Sequence, residues 1–291
     1  MKLGIVIPSY NRKDYLRNLL IQIDTINWSS WDISVYVVVD GSTDGTSEML
    51  DDIKRPYHKV ISGDGSWWYT KSINQGLTDI IACEEYALTL NDDIILDNHF
   101  FEELHNDVME HPQAIIGALG LTSNLPIRVV SSGVQRMNRI SFKLITYFEN
   151  FSLYAEVKDS LNLRSSVVLP GRGMLIPICV LEDVGLFDIA LPQYHSDYDF
   201  CLTAGKRGWS IFISANAIVY SIVLETAQVT SYIRAPFSLF VKSFFTKYSR
   251  NYLIDNIYFF RKHGYKSLLP LSLAIFIAAN LKSYLFKNKV A

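Results

Sequence analysis

Cysteine is scarce in this chain, and its placement excludes as much as its number. Cys83, Cys179 and Cys201 are three in 291 residues, far apart, odd in number and at no metal-ligand spacing. They point away from a disulfide framework and towards free buried thiols in a reducing compartment. A leader is missing too: Met1-Lys2-Leu3-Gly4-Ile5-Val6-Ile7-Pro8 has too short an apolar run and no small-residue cleavage site, so a cytoplasmic protein is expected. No internal repeat, Pro/Ser linker or charge block divides the chain. With 49% apolar and 13% aromatic residues it has no disordered composition, and its length can bury a full core as one large α/β domain or two halves plus an appendage.

A strong net charge is absent, since 27 Lys and Arg face 29 Asp and Glu, but the balance is uneven. From Tyr232 to the end ten basic residues stand against the single acid Asp255, leaving 17 basic and 28 acidic residues in 1–231, about −11 against +9. Such asymmetry marks a basic tail with an anionic partner, while the acidic remainder disfavours nucleic acid. A long hydrophobic run is missing as well. Ser267 to Leu281 is nearly all apolar, but it has 15 residues and contains Pro270, whereas a bilayer span needs about 20. Phe237 to Tyr248 and Tyr252 to Arg261 interleave Phe, Leu, Ile and Tyr with Lys242, Lys247, Arg250 and Arg261, the composition of interfacial helices. Residues 232–291 are therefore read as a basic amphipathic helical region for peripheral attachment to the inner face of the plasma membrane. The alternatives are packing on the rest of the chain and homo-oligomerisation.

What is present is a repeated strand, loop and helix. Leu3 to Ile7 and Ile33 to Val39 read as buried parallel strands. Tyr15, Leu16, Leu19, Leu20 and Ile23 recur at helical spacing between them, and further helices are expected from about Thr46, over Lys71 to Ile80 and over Phe100 to Glu110. A short strand is expected near His58 to Ile61, and later ones at Ala114 to Leu119, Val167 to Leu169, Ile211 to Ile213 and Ala217 to Tyr220, with a helix from Asp197 to Arg207.

Tyr86 to Leu90, another strand, runs into Asn91-Asp92-Asp93. In an open α/β sheet ligands gather at the carboxyl ends of strands. Adjacent carboxylates with an amide oxygen are hard ligands suited to Mg or Mn shared with substrate phosphates, although the same triplet makes an ordinary turn. Trp67 and Trp68 are either core aromatics or the wall of a ligand site. Gly171-Arg172-Gly173 is either a plain turn or a guanidinium fork for phosphate. His195 stands alone, with no second histidine or cysteine at ligand spacing. Asp197 and Asp199 cannot share one helix face, so one should point into a site and the other away.

Four pieces stand in a telling order: the first strand with Pro8-Ser9-Tyr10-Asn11-Arg12; Val39-Asp40-Gly41-Ser42-Thr43-Asp44-Gly45-Thr46; Asn91-Asp92-Asp93; and Gly185-Leu186-Phe187-Asp188 followed by His195-Ser196-Asp197-Tyr198-Asp199-Phe200. Together, from about Leu3 to Tyr220, they resemble the family-two nucleotide-sugar glycosyltransferases of the GT-A fold, especially bacterial enzymes that extend surface polysaccharides. The resemblance implies a mixed central sheet with a Rossmann-like donor-nucleotide half (1–93), an acceptor half (94–231) and a helical appendage (232–291). It implies inverting transfer of a hexosyl or deoxyhexosyl unit from a UDP- or dTDP-linked donor to a saccharide or lipid-linked acceptor. In that reading Pro8, Ser9, Tyr10 and Asp40 cradle base and ribose. Asp93 ligates the cation with Asp92 or Asn91 helping, and Trp68 and Asn74, the latter in Asn74-Gln75-Gly76, lie against the donor. Asp197 is the catalytic base, Asp199 is structural, and Arg172 and His195 are candidates for an acceptor or phosphate.

The match departs from the family at Val39 before Asp40, at Ser196 before Asp197, and at Tyr220-Ser221, where many members carry a histidine after the last strand. Two other functions compete. A catalytically inactive nucleotide-sugar-binding assembly protein should have lost the acids, which survive. A nucleotidyltransferase should carry a Gly-rich basic loop after the first strand, and Pro8 to Arg12 is not one.

Overall fold

The computed structural model describes residues 1–222 and 236–287. The two apolar runs become neighbouring parallel strands, β1 (Lys2–Ser9) and β2 (Asp32–Asp40), because both faces of each are apolar and are covered on both sides. Between them α1 (Lys13–Thr25) buries Leu16, Leu19, Leu20 and Ile23 as one stripe. The unit repeats through α2 (Thr46–Asp52), β3 (His58–Gly63), α3 (Trp68–Cys83) and β4 (Tyr86–Thr89). The strands stand in the order β3, β2, β1, β4, all parallel, so their carboxyl ends open on one edge.

The following part is mixed, as expected. It contains β5 (Ile94–Leu96), α4 (Phe100–Glu110), β6 (Ile115–Thr122), β7 (Val129–Ser131), β8 (Val134–Met137), β9 (Leu144–Thr146), α5 (Tyr154–Val157) and β10 (Arg164–Ser165). After these come β11 (Met174–Pro177), α6 (Ile178–Val184), α7 (Ser196–Lys206) and β12 (Ile211–Ser221). β11 inserts antiparallel between β4 and β6, and β12 pairs parallel with β6. Three expectations need correction. Val167 to Leu169 forms no strand: Val168 and Leu169 are buried, but their apolar character reflects core packing. The two short strands after Arg207 are one strand, β12, interrupted by a register shift between Ile213 and Ile218. Of the cysteines, only Cys201 is buried, while Cys83 and Cys179 are exposed.

The last helices are α8 (Phe237–Ser243), α9 (Leu253–His263) and α10 (Leu269–Lys287). The expected boundary at residues 231 and 232 lies outside the described residues. α9 is no loose appendage, because the Asp199 carboxylate on α7 meets His263 Nε2 at 2.7 Å and Lys262 Nζ at 2.9 Å. Lys262 also reaches Asp188 at 2.7 Å, and Phe260 stacks on Phe142 with ring centroids 4.0 Å apart. α10 rests on this layer through Phe276 against Phe260 and Phe244, and Tyr284 against Phe240. Its other side exposes Leu271, Ile277, Leu281, Leu285 and Phe286.

Pro270 does not interrupt the apolar run. It is the second residue of α10, in the first turn, where a missing N–H removes no intrahelical bond. The apolar helical stretch accordingly extends over Lys266–Phe286, 21 residues, long enough by length and composition to cross a bilayer and longer than the run counted from sequence.

Asp199→Ala removes both partners' carboxylate and leaves the buried His263 ring and the Lys262 ammonium facing each other without it. A loss of about 2–3 kcal/mol in unfolding free energy is expected, measured by urea denaturation, together with faster proteolysis between α8 and α10. An unchanged midpoint would mean that the apolar contacts alone hold α9.

Candidate active site

The loops at the open edge are tied to one another before any ligand is considered. Asn11 Oδ1 accepts the Thr43 N–H at 2.7 Å, Ser42 Oγ accepts the Asn11 N–H at 3.0 Å, and Asp44 accepts the Lys13 N–H at 2.9 Å. The first and second motif loops therefore form one surface. Asp40 has a different task from the base contact expected of it. Its buried carboxylate accepts the N–H groups of Gly65 (2.7 Å), Trp67 (2.8 Å) and Trp68 (3.1 Å), and so holds the loop that opens α3. A carboxylate at a helix N-terminus is favoured there by the unpaired amides and the helix dipole.

The acidic knot follows β4, as read from the sequence. Asp92 and Asp93 are both buried, and Arg12 Nη1 bridges them at 3.0 and 2.9 Å. Ser9 Oγ donates to the other oxygen of Asp92 at 2.8 Å. Burial works against the charge on Arg12, but the two carboxylates outweigh it and hold its pKa above the ordinary value. Burial pushes Asp92 up to about 6, against the pull of Arg12 and Ser9. Arg12 is thus the residue that the sequence reading missed at this point, although it closes the first motif.

The second half of the site is reached through one strand end. Thr89 Oγ1 donates to the Gly171 carbonyl at 2.6 Å, and the Gly173 N–H donates to the Thr89 carbonyl at 2.7 Å. Gly171 N–H in turn donates to Asp197 Oδ2 at 3.0 Å, while Asp197 Oδ1 accepts the Tyr198 N–H at 2.8 Å. Only glycine fits at 171, because a Cβ there would stand 2.0 Å from the Tyr69 hydroxyl. Gly173 has φ +83° and would bring a Cβ within 2.7 Å of Ala118. Burial raises the pKa of Asp197, opposed by those two N–H groups and by the charges of Arg250 and Arg172. Arg172 Nη1 donates to Ser221 Oγ at 2.7 Å, so the residue standing where a histidine was expected anchors a cation.

Other expected site residues are placed elsewhere. Asn74 is buried, and its amide makes reciprocal bonds with the Phe187 backbone at 2.7 and 3.0 Å. It ties α3 to the Gly185–Asp188 motif, and both polar groups of its amide are engaged there. Gly76 has a packing reason too, since a Cβ there would stand 2.4 Å from Val6 Cγ2. His195 has φ +71° and stacks on Phe259 at 4.9 Å. Burial, with the charge of Arg250, lowers its pKa to about 4, so it stands at the α9 seam as a neutral ring. Trp68, at φ +61°, faces Tyr248 at 4.8 Å, and Tyr10 is 57% exposed at the rim beside Pro8. Tyr248 and Arg250 belong to the turn between α8 and α9. No motif flagged them, because their relation to Trp68 and Asp197 is made only by tertiary docking.

The donor set of the knot fits a cation that arrives with a ligand. Asp93 has one oxygen on Arg12 and one with no hydrogen bond among the described residues, and no cluster of three acids, histidines or cysteines stands there among them. A hard divalent ion commonly takes one or two carboxylates, with substrate phosphates and water completing its shell.

Comparison with known proteins puts these features in a family context. The family profile described as "Glycosyltransferase like family 2" matches residues 2–238. The abequosyltransferase RfbV of Salmonella typhimurium is 40% identical over 58 residues, 20% of this chain and 17% of that protein. An uncharacterized glycosyltransferase of Rickettsia typhi is 23% identical over 293 residues, 94% of this chain and 84% of that one. The crystal structure of GalNAc-T7 with UDP, GalNAc and Mn2+ superposes with a TM-score of 0.61 at 11% identity, covering 96% of this chain and 57% of that chain. At that identity the likeness shows the fold, which is GT-A.

Asn74→Ala should lower stability by about 2 kcal/mol, since it orphans a buried N–H and a buried carbonyl of Phe187, yet leave the affinity for UDP within about twofold. Thermal melting and calorimetry separate the two. A collapse of UDP affinity with an unchanged melting temperature would return Asn74 to the ligand site.

Proposed function

The chain belongs to glycosyltransferase-like family 2, and from that premise we propose that it is an inverting glycosyltransferase. It moves a hexosyl or deoxyhexosyl unit from a UDP- or dTDP-linked donor to a lipid-linked saccharide acceptor in the synthesis of a surface polysaccharide. The observation that carries this reading is the placement of the Asp197 carboxylate, aimed by Gly171 and Tyr198 and joined through Thr89 to the strand that ends in Asp92 and Asp93.

Asp197 takes the proton of an acceptor hydroxyl. The hydroxyl oxygen then bonds to the anomeric carbon from the face opposite the diphosphate, the bond from that carbon to the diphosphate oxygen breaks, and its electron pair leaves on the diphosphate. Attack from the opposite face inverts the configuration. Burial suits Asp197 to this work because it makes the carboxylate a stronger base. Mg or Mn, held by Asp93 with Asp92 beside it, would supply positive charge to the departing diphosphate. Ser9 and Arg12 hold Asp92 in place, and Tyr10 offers an exposed ring at the rim for the base. Arg172 adds a fixed positive charge on the side of Ser221.

The membrane-facing part of the proposal rests on the exposed apolar side of α10 and the basic residues around it. Lys242, Lys247, Arg261, Lys266 and Lys282 lie on α8 to α10 or the turns between them. Each basic residue near an anionic leaflet contributes about 1 kcal/mol. The contacts of Phe276 and Tyr284 with α8 and α9 support an α10 that lies in the interface plane rather than across the bilayer.

Asp197→Asn keeps the shape and loses the base. Donor affinity is expected to persist while transfer falls by about a hundredfold or more. In the unaltered protein transfer requires the ionised carboxylate, and burial favours the protonated one. The rate should therefore fall as pH is lowered through a value above the ordinary 3.8 of an aspartate. Near-normal transfer by Asp197→Asn, or loss in Asp199→Asn with melting unchanged, would assign the base wrongly.

Flotation with phosphatidylglycerol vesicles at low salt tests attachment. The full chain should float, and a full chain carrying Ile277→Gln, Leu281→Gln and Leu285→Gln should remain at the bottom. Equal flotation of both would remove α10 as the anchor.

A further inference from the structure

The turn between α8 and α9 is braced from beneath. Leu253 N–H donates to the Phe244 carbonyl at 3.0 Å, Asn251 Nδ2 to Ser243 Oγ at 2.9 Å, and Asn256 Nδ2 to the carbonyls of Arg250 and Tyr252 at 2.9 and 2.8 Å. Ser243 and Asn256 are buried, so an exposed turn sits on a buried hydrogen-bonded base. Its tip is also fixed from the catalytic side. Tyr194 Oη donates to the Tyr248 carbonyl at 3.2 Å, the Arg250 guanidinium lies 5.6 Å over the Tyr194 ring, and the Tyr248 ring meets Trp68. The turn therefore stands at the mouth of the site, between the start of α3 and the loop that enters α7.

Arg250 differs from the other cations near the site. Arg12 is engaged by Asp92 and Asp93, Arg172 by Ser221, Lys262 by Asp188 and Asp199, and Lys247 lies near enough to Asp255 to oppose the rise that burial causes in that carboxyl. Arg250 is exposed and, among the described residues, its guanidinium has neither an ion pair with a carboxylate nor a hydrogen bond to a side chain or carbonyl. Its charge nevertheless acts on Asp197 against the burial that raises the base's pKa. A cation that weakens the general base works against proton abstraction, and its position is explained if it serves an anion. In the same segment Phe245, Tyr248 and Ile254 are 69%, 66% and 63% exposed, so the turn that carries Arg250 also presents apolar side chains to solvent.

We propose that Arg250 is the anion receptor on the acceptor side of this site, taking a phosphate or diphosphate group of an amphiphilic acceptor whose apolar chain lies on the Phe245, Tyr248 and Ile254 surface. The proposal deepens the glycosyltransferase reading and rests on it. A planar guanidinium binds phosphate oxygens as a fork, and its cation–π contact with Tyr194 holds it at the mouth of the site.

Calorimetry on the full chain tests this with farnesyl diphosphate, farnesol and, separately, UDP with Mn2+. The wild-type chain should bind farnesyl diphosphate more tightly than farnesol. Arg250→Gln should lose about tenfold or more of that affinity with an unchanged melting temperature, and Arg250→Lys, which keeps the charge but not the fork, should fall between. Phosphatidylglycerol vesicles should be bound alike by wild type and Arg250→Gln. Equal farnesyl diphosphate affinity in wild type and Arg250→Gln overturns the proposal while leaving the donor site standing. So does a loss confined to vesicle binding, which would make Arg250 a headgroup contact. Failure of the wild-type chain to bind UDP with Mn2+ overturns the glycosyltransferase reading and this proposal with it.

Discussion

The hydrogen bond from Gly171 N–H to Asp197 holds the two halves of the site in one geometry. It exists because β11 runs antiparallel beside β4, which sets Gly171 against Thr89 and leaves no room for a side chain below Tyr69. The strand that carries the acidic knot is therefore also the strand that fixes Asp197. A shift of one residue in this pairing would turn alternate side chains to the other face and separate the acids from Asp197.

Charge is distributed around that bond so that most buried ions have a named partner. Arg12 stands between Asp92 and Asp93, Asp40 is held by three backbone N–H donors, and Asp199 is held by Lys262 and His263. Asp197 lacks an ion-pair partner among the described residues and has only N–H donors, with burial raising its pKa. That contrast is what the proposed role of Asp197 as proton acceptor would need. The C-terminal helices attach through Asp199, which lies on the same helix as Asp197.

The parallel strands, the first four helices and the acidic knot were legible because each depends on local pattern: β-branched runs, helical spacing, and polar residues just past a strand. That Asp197 and Asp199 turn to different sides was legible from helix spacing, whereas the choice of Asp197 as the base came from its place at the helix start and from the family resemblance. What was not legible depends on partners distant in the chain. Asp40 and Asn74 carry the residue types of a ligand site, and their hydrogen bonds to Gly65, Trp67, Trp68 and Phe187 could not be read from the sequence. His195 packs on Phe259, more than sixty residues away. Arg250 and Tyr248 lie in a tail whose composition announced a basic apolar surface and gave no sign that one turn of it reaches the catalytic loop.

The central claim is that the cleft at the ends of β1, β2 and β4 receives a nucleotide sugar and that the chain cleaves it. The most direct measurement is a panel of UDP-, dTDP- and GDP-linked sugars with Mn2+ or Mg2+, read by the shift in melting temperature and by release of the nucleoside diphosphate. One donor, in the presence of the cation, should raise the melting temperature and be slowly consumed, because a ligand bound only to the folded state stabilises it in proportion to the logarithm of its saturation. No shift with any donor, or a shift with nucleoside triphosphates and release of pyrophosphate from them instead, would contradict it.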